Sequence, residues 1–382
     1  MKLADYETTE KRIKALEEKV NVFSERAKKH DEEATFPFDN FNDLKEIGYP
    51  GLTVPKKYGG LGISLYEMLM YQEAIAKADG STALSIGWHM GITKHLGENN
   101  IWKEEKYAAF ARDVVETGAL LNNAASEPAT GSPTRGGKPE TVAKREGSGW
   151  VINGRKTFTT MAPILDYFVV SASIDGTEKV GNFLVKRERA GVSVDETWNS
   201  IAMRGSGSHD LVLENVEVDG DDLVEYAGEK RAAGWLLHIP ACYLGIARAA
   251  QKYAVDFAAT YSPNSIEGTI SELPNVKQKL GEMELLLMES EHFLYGVATK
   301  WDESDEDARQ AMKPELGAVK LSVVNKAVEV VDLAMRVAGA RSLSKQNPLQ
   351  RYYRDVRAGL HNPPMDDMTV MQLAGKSVAE RG

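Results

Sequence analysis

The fold is decided by LNNAASEPATGSP, residues 121–133, and GWVINGRKTFTT, residues 149–160. In the second run, Trp150–Ile152 and Arg155–Phe158 are rich in strand-favouring residues and flank Asn153-Gly154. Because both central residues of a tight hairpin turn need a positive φ, Asn-Gly between two such runs predicts a β-hairpin. Upstream, Ser126-Glu127-Pro128 and Gly131-Ser132 are small and polar, so a ligand can approach their backbone closely. The stretch therefore predicts a β-module with a ligand-binding edge.

Apolar residues recur at helical spacing on both sides of this module. Before it, the spacing predicts helices over residues 13–27, 41–47, 64 to about 96, and 103–116. After Trp235, three long periodic segments predict helices packed as a bundle. Alternating apolar residues predict further strands at Tyr167–Ala172, Phe183–Val185 and Asp210–Val218.

The order of these elements indicates the fold class. Helices, then strands, then helices are not the βαβ alternation of a doubly wound nucleotide-binding sheet. We therefore expect an α+β protein that is mainly α. Its expected parts are an N-terminal helical domain at residues 1–119, a small β-barrel domain at 120–228, and a C-terminal four-helix bundle at 229–382.

Composition argues against several classes of protein. The formal net charge of the 382 residues is −10, whereas nucleic-acid binders carry basic patches. Cys242 is the only cysteine, so no internal disulfide forms, which fits a reducing compartment. The charged N-terminal run predicts no signal peptide, and no apolar run reaches the ~20 residues of a membrane span. No metal-ligand spacing or Walker loop occurs. We expect a cytoplasmic protein that binds neither membrane, metal nor nucleic acid.

Five stretches then carry a resemblance to a known family. They are YGGLG at residues 58–62, SEPATGS at 126–132, VINGRKTFTT at 151–160, MRGSGS with LENVEV at 203–218, and QRYYRD at 350–355. They are similar, in this order, to YGGxG, TEPxAGSD, YxINGxKxWIT, RxSxT with FExVxVP, and xRYYRD. These are motifs of the acyl-CoA dehydrogenase superfamily, which the chain resembles over nearly its whole length. The resemblance implies the three-part fold above and a flavin cofactor.

The resemblance also implies which residues hold the flavin. Residues at the positions of Ser126 and Thr160 hydrogen-bond the flavin ring in the family, with Thr159 beside them. The aromatic residue at Phe158 covers one face of the ring, and Ser132 lies where the family meets a phosphate. In this chain such hydroxyls can equally satisfy the local backbone, and Phe158 can equally be a core aromatic residue.

The adenine half of the cofactor is less closely matched. The family's QxxGGxG corresponds to Met335–Arg341, which keeps Gly339 and replaces the last glycine by Arg341. Arginine pairs well with phosphate, so Arg341 is a candidate ligand of the flavin pyrophosphate. The resemblance implies FAD, with FMN as the alternative.

The catalytic base is where the chain departs from the family. Acyl-CoA dehydrogenases remove an α-proton with a glutamate that follows the RYYRD segment. Here that region reads RAGLHNPPMDDMTVMQ, and the glutamate position falls on Pro363, or near Asp367 after an insertion. Asp367 is one candidate base for the oxidation of an acyl-CoA at Cα–Cβ. A solvated loop acid is the alternative interpretation.

The His-Asn-Pro run at residues 361–363 favours a second hypothesis. It resembles the two-component flavin monooxygenases of the same superfamily, which oxidise heteroatoms with reduced flavin. His361 and His89 are then the catalytic candidates, although a lone histidine often has only a structural role. A third hypothesis is a flavin-binding protein without catalytic activity. By resemblance we expect a homotetramer, a small-molecule substrate such as an acyl-CoA, and an electron-transfer flavoprotein or a flavin reductase as partner.

Overall fold

A computed structural model describes residues 1–130, 136–228 and 231–379 of the chain. The N-terminal part consists of helices joined by short turns. They are α1 (Thr9–Val20), α2 (Phe23–Glu33), α3 (Phe38–Glu46), α4 (Leu65–Ala78), α5 (Gly80–Asn99) and α6 (Glu104–Thr117). Most residues of α4 and α5 are buried, because both helices lie between the rest of the N-terminal part and the C-terminal helices.

The long helix predicted from residue 64 is two helices, and that prediction was wrong at Asp79. This residue adopts an extended backbone, and its side chain accepts hydrogen bonds from the N–H groups of Ser81 and Thr82. An aspartate in this conformation caps the helix that follows it, so α4 ends here and α5 begins. The predicted helix at residues 13–27 is likewise divided, at Asn21 and Val22.

The middle part is a mixed sheet of eight strands. They are β1 (Leu121–Ala124), β2 (Val142–Glu146), β3 (Gly149–Thr159), β4 (Tyr167–Ile174), β5 (Val180–Lys186), β6 (Val192–Asp195), β7 (His209–Val218) and β8 (Leu223–Tyr226). The strand order is β6-β7-β3-β2-β4-β5-β8, and β1 pairs in parallel with β4. The strands predicted around residues 167, 183 and 210 are confirmed as β4, β5 and β7.

The hairpin predicted at Asn153-Gly154 was wrong, because both residues lie inside the continuous strand β3. The turn is instead at Gly147-Ser148, between β2 and β3. Asn153 accepts a 2.8 Å hydrogen bond from the backbone of Asn215, opposite an irregularity in the β3–β7 pairing. At Gly154, an added Cβ would lie 2.3 Å from the Thr141 hydroxyl. Glycine is needed there for close packing and not for a turn.

The C-terminal part is helical, as expected. Its helices are α7 (His238–Thr260), α8 (Pro274–Glu303), α9 (Glu306–Ala311), α10 (Lys313–Ala338), α11 (Pro348–Ala358) and α12 (Asp366–Ala379). Helices α7, α8, α10 and α11 pack around a shared apolar core, while α4 packs along α7 and α12 packs on α10. The helical, β and helical arrangement is thus confirmed, and the exact domain limits at 119/120 and 228/229 remain a proposal. Within the described ranges, no helix combines the length and apolar character needed to cross a membrane.

Candidate functional site

The end of β3 presents an aromatic ring to the outside of the protein. Phe158 is 66% exposed, although Thr159 and Thr160 beside it are buried. Its ring contacts Trp198 edge to face, with 6.0 Å between the ring centroids. Phe158 has a φ of 55° and Met161 a φ of 66°. Positive φ is uncommon for residues other than glycine, and it tends to be retained at functional sites.

Three hydroxyl groups lie in a row at the end of β3. The Thr160 Oγ1 is 3.0 Å from the Ser208 Oγ, which is 2.8 Å from the Ser206 Oγ. The backbone oxygen of Thr160 accepts a 2.9 Å hydrogen bond from the Asn122 amide, which fixes the end of β3. Sequence reasoning did not select Ser206 or Ser208, although the small polar run MRGSGS was an available signal.

Ser126 lies beside the same strand, because its backbone oxygen accepts a 2.9 Å hydrogen bond from the N–H of Thr157. The next residue, Glu127, forms an ion pair with Lys156, and both side chains are almost completely buried. The distance between Glu127 Oε1 and Lys156 Nζ is 2.5 Å. This pair ties the Ser126 segment to the strand that ends in Phe158 and Thr160.

Backbone groups complete the surroundings of the Glu127 carboxylate. It also accepts hydrogen bonds from the N–H groups of Glu140 and Thr141. Burial raises its pKa, but the hydrogen bonds from Lys156 and these amides outweigh burial and hold the pKa of Glu127 below its usual value. Burial lowers the pKa of Lys156. The ion pair is therefore a fixed structural support of the ligand edge.

The loop that carries the two serines is held from the C-terminal helices. The N–H of Met203 donates a 2.6 Å hydrogen bond to Asp355 on α11, and the oxygen of Met203 accepts one of 3.0 Å from the Trp198 indole. Met203 also has a positive φ, of 51°. Arg354 binds the backbone oxygen of Ile201 at 2.6 Å. The position of Ser206 and Ser208 thus depends on α11.

His89, a sequence candidate for catalysis, is fully buried on α5. Its Nδ1 accepts a 3.1 Å hydrogen bond from the N–H of Leu121, and its Nε2 lies 3.2 Å from the oxygen of Pro50. Burial lowers the pKa of His89 to about 4. Because both ring nitrogens are bound to the backbone, the histidine is neutral and positions β1. We therefore propose a structural role for it.

His361 and Asp367 are the other catalytic candidates; His361 lies in the connection between α11 and α12, and Asp367 lies at the start of α12. His361 ends a short turn of 3₁₀ helix and is exposed, and its neighbour Asn362 accepts a 2.6 Å hydrogen bond from the buried Tyr243 hydroxyl. Asp367 is exposed in the first turn of α12, next to Asp366. Asp366 binds Lys320 on α10 at 3.0 Å.

Gly339 and Arg341 lie together in the turn after α10. Gly339 contributes to a surface pocket of about 440 Å³ that is also lined by Arg336 and Arg357. Arg341 instead lies over the ring of Tyr261, with 4.3 Å between its guanidinium carbon and the ring centroid. Ser132, the remaining candidate for cofactor binding, lies outside the described residues.

The residues at the end of β3 fit a flavin ring. Phe158 offers an exposed apolar ring face, and Thr160 offers a hydroxyl that is linked to Ser208. The Thr159 hydroxyl is buried and has no hydrogen-bond partner among the described residues, so it can still form a hydrogen bond with a further group. Among residues 1–130, 136–228 and 231–379, no group of three or more His, Cys, Asp or Glu side chains is placed to hold a metal ion.

Comparison with known proteins agrees with this arrangement. Residues 12–99, 122–216 and 237–362 match the N-terminal, middle and C-terminal domains of acyl-CoA dehydrogenase, respectively. The chain is 51% identical over 358 residues to "Putative acyl-CoA dehydrogenase YdbM" of Bacillus subtilis (strain 168), with 93% of each chain covered. It is 30% identical to L-evernosamine nitrososynthase of Micromonospora sp. (strain ATCC 39149 / NRRL 15099 / SCC 1413), over 88% of this chain and 82% of the relative.

A solved structure extends the comparison to three dimensions. The structure of KijD3 in complex with FMN and a dTDP-linked amino sugar superimposes with a TM-score of 0.84 at 25% identity. The match covers 96% of this chain and 93% of that chain. The three matched domains and their order along the chain show that the protein belongs to the acyl-CoA dehydrogenase superfamily of flavoproteins.

Proposed function

We propose that the protein is a flavin-dependent monooxygenase that uses a reduced flavin and dioxygen to oxidise a heteroatom of a small molecule. One observation carries this proposal. In the described part of the chain, the hydrogen bonds made by residues 158–160 and 206–208 go to backbone groups, hydroxyls and the side-chain amide of Asn122, and none goes to a carboxylate. An acyl-CoA dehydrogenase needs a carboxylate within hydrogen-bond reach of the substrate proton at this edge.

Two of the similar proteins support the same choice. One is named a nitrososynthase, and a nitroso group contains an N–O bond. Another, KijD3, was solved with FMN and an amino sugar. When bound, the reduced flavin supplies two electrons, so that one atom of dioxygen is transferred to the substrate and the other leaves as water. A sulfur or nitrogen atom is the proposed acceptor of that oxygen.

The residues of this chain have separate roles in the proposal. Phe158 covers a face of the ring and excludes water, and Thr160 hydrogen-bonds the ring edge. Ser126 is held close to that edge by the buried pair of Glu127 and Lys156. His361 is the candidate for holding or delivering a proton, because an imidazole ring has one nitrogen that can accept a proton and one that can donate it.

The proposal is tested with the purified protein, a flavin reductase, NADH and ¹⁸O₂. Thioethers, thiophenes and primary amines are offered as substrates, and the products are analysed by mass spectrometry. We expect one ¹⁸O atom in the product of at least one of these classes. Complete absence of labelled product, together with reduction of the bound flavin by an acyl-CoA without oxygen, would overturn the proposal.

The second candidate function is the oxidation of an acyl-CoA at Cα–Cβ, with Asp367 as base. It is favoured by the place of Asp367, which follows α11 as the base of the dehydrogenases does, and by the name of the relative from Bacillus subtilis. Under anaerobic conditions this reaction would bleach the flavin absorption near 450 nm and form an enoyl-CoA. Bleaching without enoyl-CoA formation would not support it.

Cofactor and assembly are part of the same proposal. FAD is proposed because Gly339 lines a pocket with two arginines, a suitable place for the phosphates of its longer tail, and FMN is the alternative. Heating the purified protein and separating the released flavin by chromatography distinguishes the two.

We also propose a cytoplasmic homotetramer that receives electrons from a flavin reductase. In the second candidate function, the electrons come from an acyl-CoA and pass to an electron-transfer flavoprotein. A monomer in light scattering would contradict the tetramer.

A further inference from the structure

The exposed fraction decreases along the row of hydroxyl-bearing residues at the end of β3. Thr160, at the outer end, is 9% exposed, Ser208 is 6% exposed, and Ser206, at the inner end, is 1% exposed. The described hydrogen bonds of these side chains are only those that link them to one another. Three hydroxyls share three hydrogens, and the two links use two of them. One hydrogen is therefore left over.

Burial decides which hydroxyl keeps the free hydrogen. If Ser206 donates to Ser208 and Ser208 donates to Thr160, the free hydrogen is on Thr160, the most exposed of the three. Every other arrangement with both links leaves an unsatisfied O–H on Ser206 or Ser208. A buried donor without a partner is costly, whereas Thr160 is the most exposed of the three residues, so that a ligand or water can accept its hydrogen.

We propose that Ser206 and Ser208 are positioning residues that fix Thr160 as a hydrogen-bond donor toward the bound flavin ring. This inference rests on the proposed function, because it takes the ligand at this edge to be a flavin. The ring edge carries nitrogen and carbonyl acceptors, and a donor with a fixed direction selects one of them. Ser206 and Ser208 then strengthen flavin binding through Thr160, without touching the flavin.

Met203 links this row to the C-terminal helices. The backbone N–H of Ser206 donates a 3.0 Å hydrogen bond to the oxygen of Met203, whose own N–H is bound to Asp355. The serine at the inner end is thus held by its backbone and does not depend on its hydroxyl for its place. Removing either serine hydroxyl should therefore leave the loop in position.

A double-mutant cycle tests the proposal through flavin binding, without a measurement of activity. The dissociation constants of FAD and FMN are measured by fluorescence titration for the wild type, Thr160→Val, Ser208→Ala and the double variant. One lost hydrogen bond weakens binding by roughly three- to tenfold, and we expect this factor for each single variant. The double variant should bind no more weakly than Thr160→Val, because Ser208 acts through Thr160.

Further variants separate this effect from loss of structure. Ser208→Thr keeps the hydroxyl and should bind flavin as the wild type does, while Ser206→Ala should weaken binding as Ser208→Ala does. All variants should melt within a few degrees of the wild type in circular dichroism. If Ser208→Ala binds flavin as tightly as the wild type, or if the effects in the double variant are additive, this inference is overturned. If the wild type binds neither flavin, the proposed function is overturned and this inference with it.

Discussion

Asp355 on α11 accepts a 2.6 Å hydrogen bond from the backbone N–H of Met203, in the loop that carries Ser206 and Ser208. The contact joins the C-terminal bundle to the loop before β7 in the middle domain. Arg354, the preceding residue, binds Asp31 of the N-terminal part at 2.5 Å. Two consecutive residues of α11 thus connect all three parts of the fold.

The first prediction concerns the stability that this contact provides. Asp355→Ala leaves the buried N–H of Met203 without a partner, which should lower the free energy of unfolding by about 1–3 kcal/mol. Asp355→Asn keeps an acceptor oxygen at the same place and should cost less. Urea denaturation followed by circular dichroism measures both variants. Equal stability of Asp355→Ala and the wild type would show that the contact is not important.

The second prediction is a dependence of stability on pH. Burial raises the pKa of Asp355 to about 7, although Met203 and Arg351 favour the ionised form. In the unfolded chain the carboxyl titrates near its usual value of about 3.9, so the folded protein binds the extra proton between about pH 4 and 7. The contribution of Asp355 to the free energy of unfolding is therefore complete below about pH 4 and is lost as the pH rises to about 7.

Buried histidines act in the opposite direction, so a comparison of variants is needed. Burial lowers the pKa of His89 to about 4 and that of His238 to about 3. Because the unfolded chain binds more protons at these two histidines, they increase the stability of the folded state as the pH rises toward about 6.5. Asp355→Asn keeps these histidines and removes only the carboxyl. The stability of the wild type relative to Asp355→Asn should fall from pH 4 to pH 7. A constant difference over this range would contradict the raised pKa.

The third prediction concerns the buried pair of Glu127 and Lys156. Removing one partner leaves an unpaired buried charge, so Glu127→Gln and Lys156→Met should each destabilise the fold by about 3–5 kcal/mol. The combination Glu127→Gln with Lys156→Met removes both charges and should be less destabilised than the sum of the single variants. Urea denaturation measures the cycle. Additive single effects would show that the two charges do not interact.

The sequence was sufficient for the order of the three parts and for the long helices, because their apolar periodicity extends over many residues. It was misleading at Asn153-Gly154, where a turn dipeptide lies inside β3. The glycine there is required by the close approach of the Thr141 side chain, which lies just before β2, and no local sequence pattern indicates this contact. The sequence also did not indicate Ser206, Ser208 or Asp355 as parts of one site, since their proximity depends on how α11 packs against the β domain.

Another prediction isolates the contribution of Phe158 to flavin binding. The side chain is largely exposed, so Phe158→Ala should change the free energy of unfolding by less than about 0.5 kcal/mol. Loss of a ring that covers the flavin should weaken flavin binding by roughly tenfold. Tyr226→Ala on the edge strand β8 removes another exposed aromatic ring and is the matched control. Equal effects of the two variants on flavin affinity would exclude Phe158 from the site.

The last prediction distinguishes the two candidate reactions by two side chains that follow α11, His361 and Asp367. If the protein is a monooxygenase in which His361 delivers a proton, His361→Asn should lower the rate of ¹⁸O incorporation by roughly 10²-fold or more. Asp367→Asn should then change that rate less than twofold. Flavin affinity should be the same in both variants, because Phe158 and Thr160 hold the ring. If Asp367→Asn instead abolishes anaerobic bleaching by an acyl-CoA while His361→Asn bleaches normally, Asp367 is the base of a dehydrogenase.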